Sequence, residues 1–177
     1  KQMEEFTART LKEYKVARVE ELPFNFNGLA MLESERIAGA VFDHHFGKLW
    51  DRIEAQDRAT TWVGALAPLL ALRSASMALS GTDFVHHRHF ATAAEQHRRE
   101  FVRVLNEDVK NNAKPGDHNY AVGRELWEQL PEFKLAPLPA ERALESASLG
   151  LGLLAAWLVG ACVALAAAAA RLKANVA

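Results

Sequence analysis

The chain has 177 residues and a formal net charge of -1, so it carries no charge excess of the kind that draws a protein to nucleic acid. Half of its residues are hydrophobic, and they are unevenly distributed: residues 146–170 carry no charge, while nearly all the charge lies in 1–145. Its one cysteine, Cys162, lies inside the apolar segment, which excludes an internal disulfide and leaves the polar part to be held by packing.

The chain opens at Lys1 with neither an initiator methionine nor an apolar leader. We therefore expect an upstream element in a longer protein. Lys1 to about Glu20 reads as a charged, weakly amphipathic helix. Leu22 to Gly28 reads as a break, punctuated by Pro23 and Gly28. A second helix is predicted from Leu29 to about Arg58, with Phe42, His45, Phe46, Leu49 and Ile53 on one face.

Residues 59–79 form a more apolar segment, interrupted at Pro68 and charged at Arg73. Three readings of it stand: a buried central helix, a helix at the membrane surface with Trp62 at the interface, or a full span. Gly81 then reads as a helix C-cap and Asp83 as the N-cap of the next helix. That helix runs to about Asn112 with a buried stripe of Phe90, Ala94, His97, Phe101, Val104 and Leu105. A polar loop with Pro115-Gly116 and a short helix near Arg124–Gln129 follow. Pro131, Pro137 and Pro139 keep the next stretch extended.

The uncharged stretch 146–170 exceeds the roughly 20 residues that cross a bilayer. Arg171 and Lys173 follow it and favour a cytoplasmic C-terminus, which places the preceding residues outside. Ser148, Gly152, Ala156, Gly160, Ala164 and Ala168 repeat every fourth residue, a small-residue stripe suited to packing another membrane helix. The predicted fold is all-α: an extracytoplasmic bundle of about four helices over 1–140, then one transmembrane helix and short tail over 141–177.

The histidines are the residues that could hold a metal. His45, His86 and His97 are the candidates, since facing helices can aim imidazoles inward. No Glu-x-x-His pattern or cysteine joins them, and hydrogen-bonded histidines in the core or at its boundary are the reading preferred over a metal or proton-sensing role. The serines lack a G-x-S-x-G context and no phosphate-binding loop is present, so no enzyme or cofactor is expected.

Several segments resemble one family. They are Ala67-Pro68 through Ser76 to Gly81-Thr82-Asp83, then His89-Phe90, then Phe101 to Asn106, and Arg124 to Phe133. From about Leu29 to the end, their order is similar to bacterial exporter-type ABC-transporter permeases with a large extracytoplasmic domain of unknown function. The resemblance implies a multi-pass subunit of the bacterial inner membrane that moves a substrate with a separate ATP-binding subunit. It implies partners in other permease helices or a second copy, and in membrane lipid. It gives Pro68, Ser76, Gly81, Thr82 and Asp83 structural roles, as a helix stop and restart. Two other functions remain open on the residues: an extracytoplasmic sensory bundle and a histidine-based metal-binding bundle.

Overall fold

The computed structural model describes residues 2–115, 117 and 119–176, and the side chains up to Leu172. Gly116 of the loop turn and the Lys173 side chain therefore lie outside the described residues. The elements are α1 (Gln2–Tyr14), a single 3-10 turn (Val19–Glu21), α2 (Phe26–Val63), α3 (Pro68–Ser80), α4 (Phe84–Asn112), α5 (Arg124–Gln129) and α6 (Ala140–Val176). Among the described residues there is no strand, so the expected all-α class holds. Among the described residues one helix is long and apolar enough to cross a membrane, over Ala140–Leu172.

The element boundaries refine the sequence reading in three places. First, α1 stops at Tyr14 because Lys15 turns left-handed (φ 55), and the Val16 N–H then bonds back to the Leu11 carbonyl. Second, α2 starts at Phe26, before Gly28, so Gly28 does not break a helix. A Cβ at Gly28 would lie 2.3 Å from the Lys110 backbone nitrogen, so the glycine permits α2 and α4 to touch. Third, the apolar segment 59–79 is two helices: α2 ends at Val63 and α3 begins at Pro68. At 13 residues α3 is too short to span a bilayer, which removes the full-span reading.

The residues group into two compact units, each built from separate stretches of chain. The first comprises residues 1–47 and 92–134: α1, the first half of α2, the second part of α4, and α5. Its organising residue is the buried Asn25. The Asn25 side-chain amide donates to the carbonyls of Ala113 (3.3 Å) and Lys114 (3.0 Å), and its Oδ1 accepts from the Asn27 N–H at 2.8 Å. One side chain thus serves the free backbone groups at the start of α2 and the end of α4. Arg99 ties α4 to α2 through Asp43 (2.7 Å) and also holds Glu95 (2.8 Å), while Arg98 joins Glu95 to Glu35 (3.2 Å).

The second unit comprises residues 48–91 and 135–177: the end of α2, α3, the start of α4, and α6. Here Trp50 packs on Phe84 (ring centroids 5.7 Å apart), and Arg88 pairs with Glu54 at 2.9 Å. α3 runs antiparallel to α6: Asp83 meets Ser146, the Ala71–Ala75 turn meets Gly150, and Gly64 meets Trp157. The contact is made by small residues. Ala71, Ala75, Ala78 and Ala147 are buried, and a Cβ at Gly150 would lie 3.0 Å from the Ala71 oxygen and the Ala75 nitrogen.

Among the described residues the buried apolar side chains are Leu22 and five alanines. The large ones stay outside: Trp62, Leu66, Leu69, Leu72, Leu79, Leu158 and Leu165 are all exposed. The stripe foreseen on α4 is only half-buried, and its Phe90 is exposed. His45, expected on the packed face of α2, is exposed as well.

Candidate functional site at the foot of the apolar helix

The site starts with the turn that joins α3 to α4. Gly81 takes the left-handed conformation (φ 74) that a side chain disfavours. The Gly81 N–H bonds to the Ala78 carbonyl (3.4 Å) and the Thr82 N–H to the Met77 carbonyl (2.9 Å), the paired bonds of a Schellman stop. Asp83 then caps α4, its Oδ1 accepting from the His86 N–H at 3.0 Å. The roles assigned to Gly81 and Asp83 from sequence are the ones the backbone shows. Thr82 adds a hydroxyl contact with Ser80 at 2.9 Å, Pro68 occupies the first turn of α3, and Ser76 is exposed.

Asp83 does more than cap. Its carboxylate is buried, its Oδ1 also pairs with His86 Nδ1, and its Oδ2 accepts from the Ser146 hydroxyl on α6. Burial pushes this carboxyl up, but the bonds from Ser146 and His86 outweigh it and hold it below the ordinary aspartate range. One carboxylate therefore ties the start of α4 to the foot of α6.

Beside this lock lies a cavity of about 300 Å3 lined by Glu54, Asp57, Arg58, Thr61, Ser74, Arg142, Glu145 and Ser146, with Val85 and Leu149. Thr61 and Ser74 hydroxyls bond across it at 3.0 Å, joining α2 to α3. Burial and the nearby charge of Asp83 raise the Asp57 carboxyl, against a smaller opposing pull from Arg73. The lining carries both charge signs, which suits a polar or zwitterionic group and excludes a bare hydrocarbon one.

Ser, His and Asp meet here, but not as a nucleophile and base. The Ser146 hydroxyl donates its hydrogen bond to Asp83, and His86 faces the same carboxylate, so the serine has no imidazole to take its proton. The arrangement positions helices.

The remaining candidates are dispersed. His86 belongs to the second unit and is held by Asp83. His45 and His97 belong to the first, where His45 meets the His44 ring edge-on and His97 packs on Phe133 (5.4 Å) and Phe101 (6.4 Å). Among the described residues no three His, Cys, Asp or Glu side chains converge to hold a metal ion. On α6, Gly152 and Gly160 have no neighbour within 4 Å of a Cβ position, and Ala156 and Ala164 are exposed. α3 packs instead on Ala147 and Gly150; Gly150 and Gly152 point about 200° apart around the helix.

Sequence reasoning missed the Asp83–Ser146 bond. Asp83 was legible as a cap and Ser146 as the first residue of the uncharged stretch 146–170, but 63 positions separate them and no local pattern links them.

Fold and site together define an all-α protein with one helix of membrane-crossing length and a polar joint at its foot. Residues 1–136 match the family described as a domain of unknown function (DUF3526), and the chain belongs to that family. No curated protein and no solved structure shows significant similarity to it.

Proposed function

We propose that this chain is the C-terminal portion of an ABC-transporter permease subunit in the bacterial inner membrane. Residues 1–140 lie outside the cytoplasm and α6 is the last membrane helix. A separate ATP-binding subunit supplies the energy, and the permease moves a substrate across or out of the membrane. The chain itself performs no catalysis. Shifts of the membrane helices reach the outer part through the Asp83 joint, because Ser146 is bonded to the cap that starts α4.

The carrying observation is the surface of α6. From Ala155 to Leu172 every residue is exposed, although the stretch is almost wholly apolar. A long bare apolar helix demands lipid, other helices, or both. Its small residues at Gly152, Ala156, Gly160 and Ala164 remain open for another permease helix or a second copy. The resemblance to exporter-type permeases, from about Leu29 to the end, implies the ATP-driven partner.

Purification of the full-length protein from bacterial membranes tests this reading. We expect it to resist alkaline carbonate extraction and to co-purify with an ATP-binding subunit. Release into the soluble fraction, or purification from intact membranes without any ATPase, overturns it.

A further inference from the structure

We propose that the helical hairpin formed by the end of α2 and the start of α3, residues 59–72, inserts its tip into the lipid of one leaflet alongside α6. The inference rests on the reading of α6 as a membrane helix and adds a second membrane-embedded element, one that does not cross.

Four observations within the second unit carry it. The hairpin tip is uncharged from Ala59 to Leu72 and is bounded by Arg58 and Arg73. Its large side chains face outward: Leu66 is 84% exposed and Leu69 72%, with Trp62, Val63 and Leu72 about half exposed or more. A soluble surface rarely places so many together.

The tip also lies against the apolar part of α6. Asp83 meets Ser146 at one end of the α3–α6 contact and Gly64 meets Trp157 at the other. Ser146 to Trp157 is about 16 Å of helix rise, about half of a roughly 30 Å hydrocarbon layer. If uncharged α6 sits in lipid from Ser146 onward, the tip at its side sits in lipid too. The exposed Leu151, Trp157 and Leu158 of α6 continue the same apolar surface.

Finally, the turn bonds most of its own N–H groups internally. The N–H groups of Gly64, Ala65, Leu66 and Ala67 bond to the carbonyls of Thr61, Trp62, Val63 and Val63 at 2.9–3.1 Å. Pro68 has no N–H, and the Leu70 N–H bonds to Ala67 at 3.0 Å. The Gly64 carbonyl accepts the Trp157 indole N–H at 3.0 Å. Amides bonded within the turn enter hydrocarbon at less cost than unpaired ones, because no water is there to bond them. Arg58 and Arg73 then reach the phosphate level with their long side chains.

The test uses the full-length protein carrying Cys162→Ser, reconstituted in vesicles of phosphatidylcholine and phosphatidylglycerol. Single nitroxide labels are placed through Leu66→Cys, Leu69→Cys, Val163→Cys on α6 and Glu100→Cys on the exposed face of α4. Electron paramagnetic resonance then reads the accessibility of each label to oxygen and to a water-soluble nickel chelate. We expect labels at 66, 69 and 163 to be several-fold more accessible to oxygen than to nickel, and the label at 100 to show the reverse. Nickel access at 66 and 69 with a lipid-exposed 163 overturns the inference and leaves the membrane reading of α6 standing. Labels at 66 and 69 shielded from both reagents overturn it in favour of a protein partner. Nickel access at 163 overturns both.

Discussion

At the scale of single residues, Asp83 combines three roles. It caps α4, pairs with His86 and accepts from Ser146. Removing it leaves one helix end uncapped and two polar groups without their acceptor. Loss of an N-cap costs about 1 kcal/mol and each lost partner of a part-buried polar group about 1 kcal/mol more. We expect Asp83→Ala to lower the stability of the detergent-solubilised protein by about 3 kcal/mol, read as a lower midpoint in helical circular dichroism on heating. Asp83→Asn keeps a capping oxygen and should lose less. Equal losses for the two variants would show that the charge, and not the cap, holds the joint.

At the scale of elements, α3 and α6 depend on the absence of side chains. Gly150 faces Ala71 and Ala75 with no room for more than a small shift, while Gly152 faces open space. Overpacking a close contact costs about 1–3 kcal/mol, and a substitution that touches nothing costs within about 0.5 kcal/mol. Gly150→Leu should therefore destabilise the purified chain by about 2 kcal/mol, with Gly152→Leu close to unchanged in the same thermal measurement. The contrast reverses in assembly: under the proposed function, Gly152→Leu is the variant that blocks the approach of another membrane helix. A Gly152→Leu variant that unfolds as readily as Gly150→Leu would mean that the packed face of α6 has been misassigned.

At the scale of the whole molecule, the first unit is stitched across its surface by ion pairs more than by a deep core. Glu95 sits at the centre. Its hydrogen bond from Arg98, opposed by burial and reinforced by Arg99, draws its carboxyl down to about 2. A carboxyl lowered on folding adds stability above its unfolded value, and that stability is lost as pH falls through the folded value. The contribution of Glu95 is thus complete above about pH 5 and disappears between there and about pH 2. Glu95→Gln should cost about 1 kcal/mol at neutral pH once solvent screening is allowed for. The gap between wild type and variant should close as the medium is acidified toward pH 2. Chemical denaturation at a series of pH values checks this, and a gap that widens on acidification would refute it. Added salt should narrow the gap as well, since the arginine partners are part-exposed.

Much of this protein is written in local pattern. The all-α class, the stop at Gly81, the cap at Asp83, the short helix Arg124–Gln129 and the long apolar C-terminal helix all follow from residues close together in the chain. Capping, helix periodicity and charge exclusion act over a few residues, so a sequence determines them by itself. Other features depend on which segments meet. Gly28 was legible as punctuation, yet its role is to admit Lys110 of α4. His45 sits on the apolar stripe of α2 by spacing, yet no neighbour covers it. The small residues of α6 formed one visible stripe, but Ala71 and Ala75 of α3 pack on Gly150, on another face, where buried Ala147 also lies. The candidate site is of the second kind. Each member of the Asp83–Ser146–His86 group had a local reading, but their union required α3 to fold back along α6. Only the tertiary structure decides such a contact, because its energy comes from close approach between distant segments, and one-dimensional spacing carries no record of it.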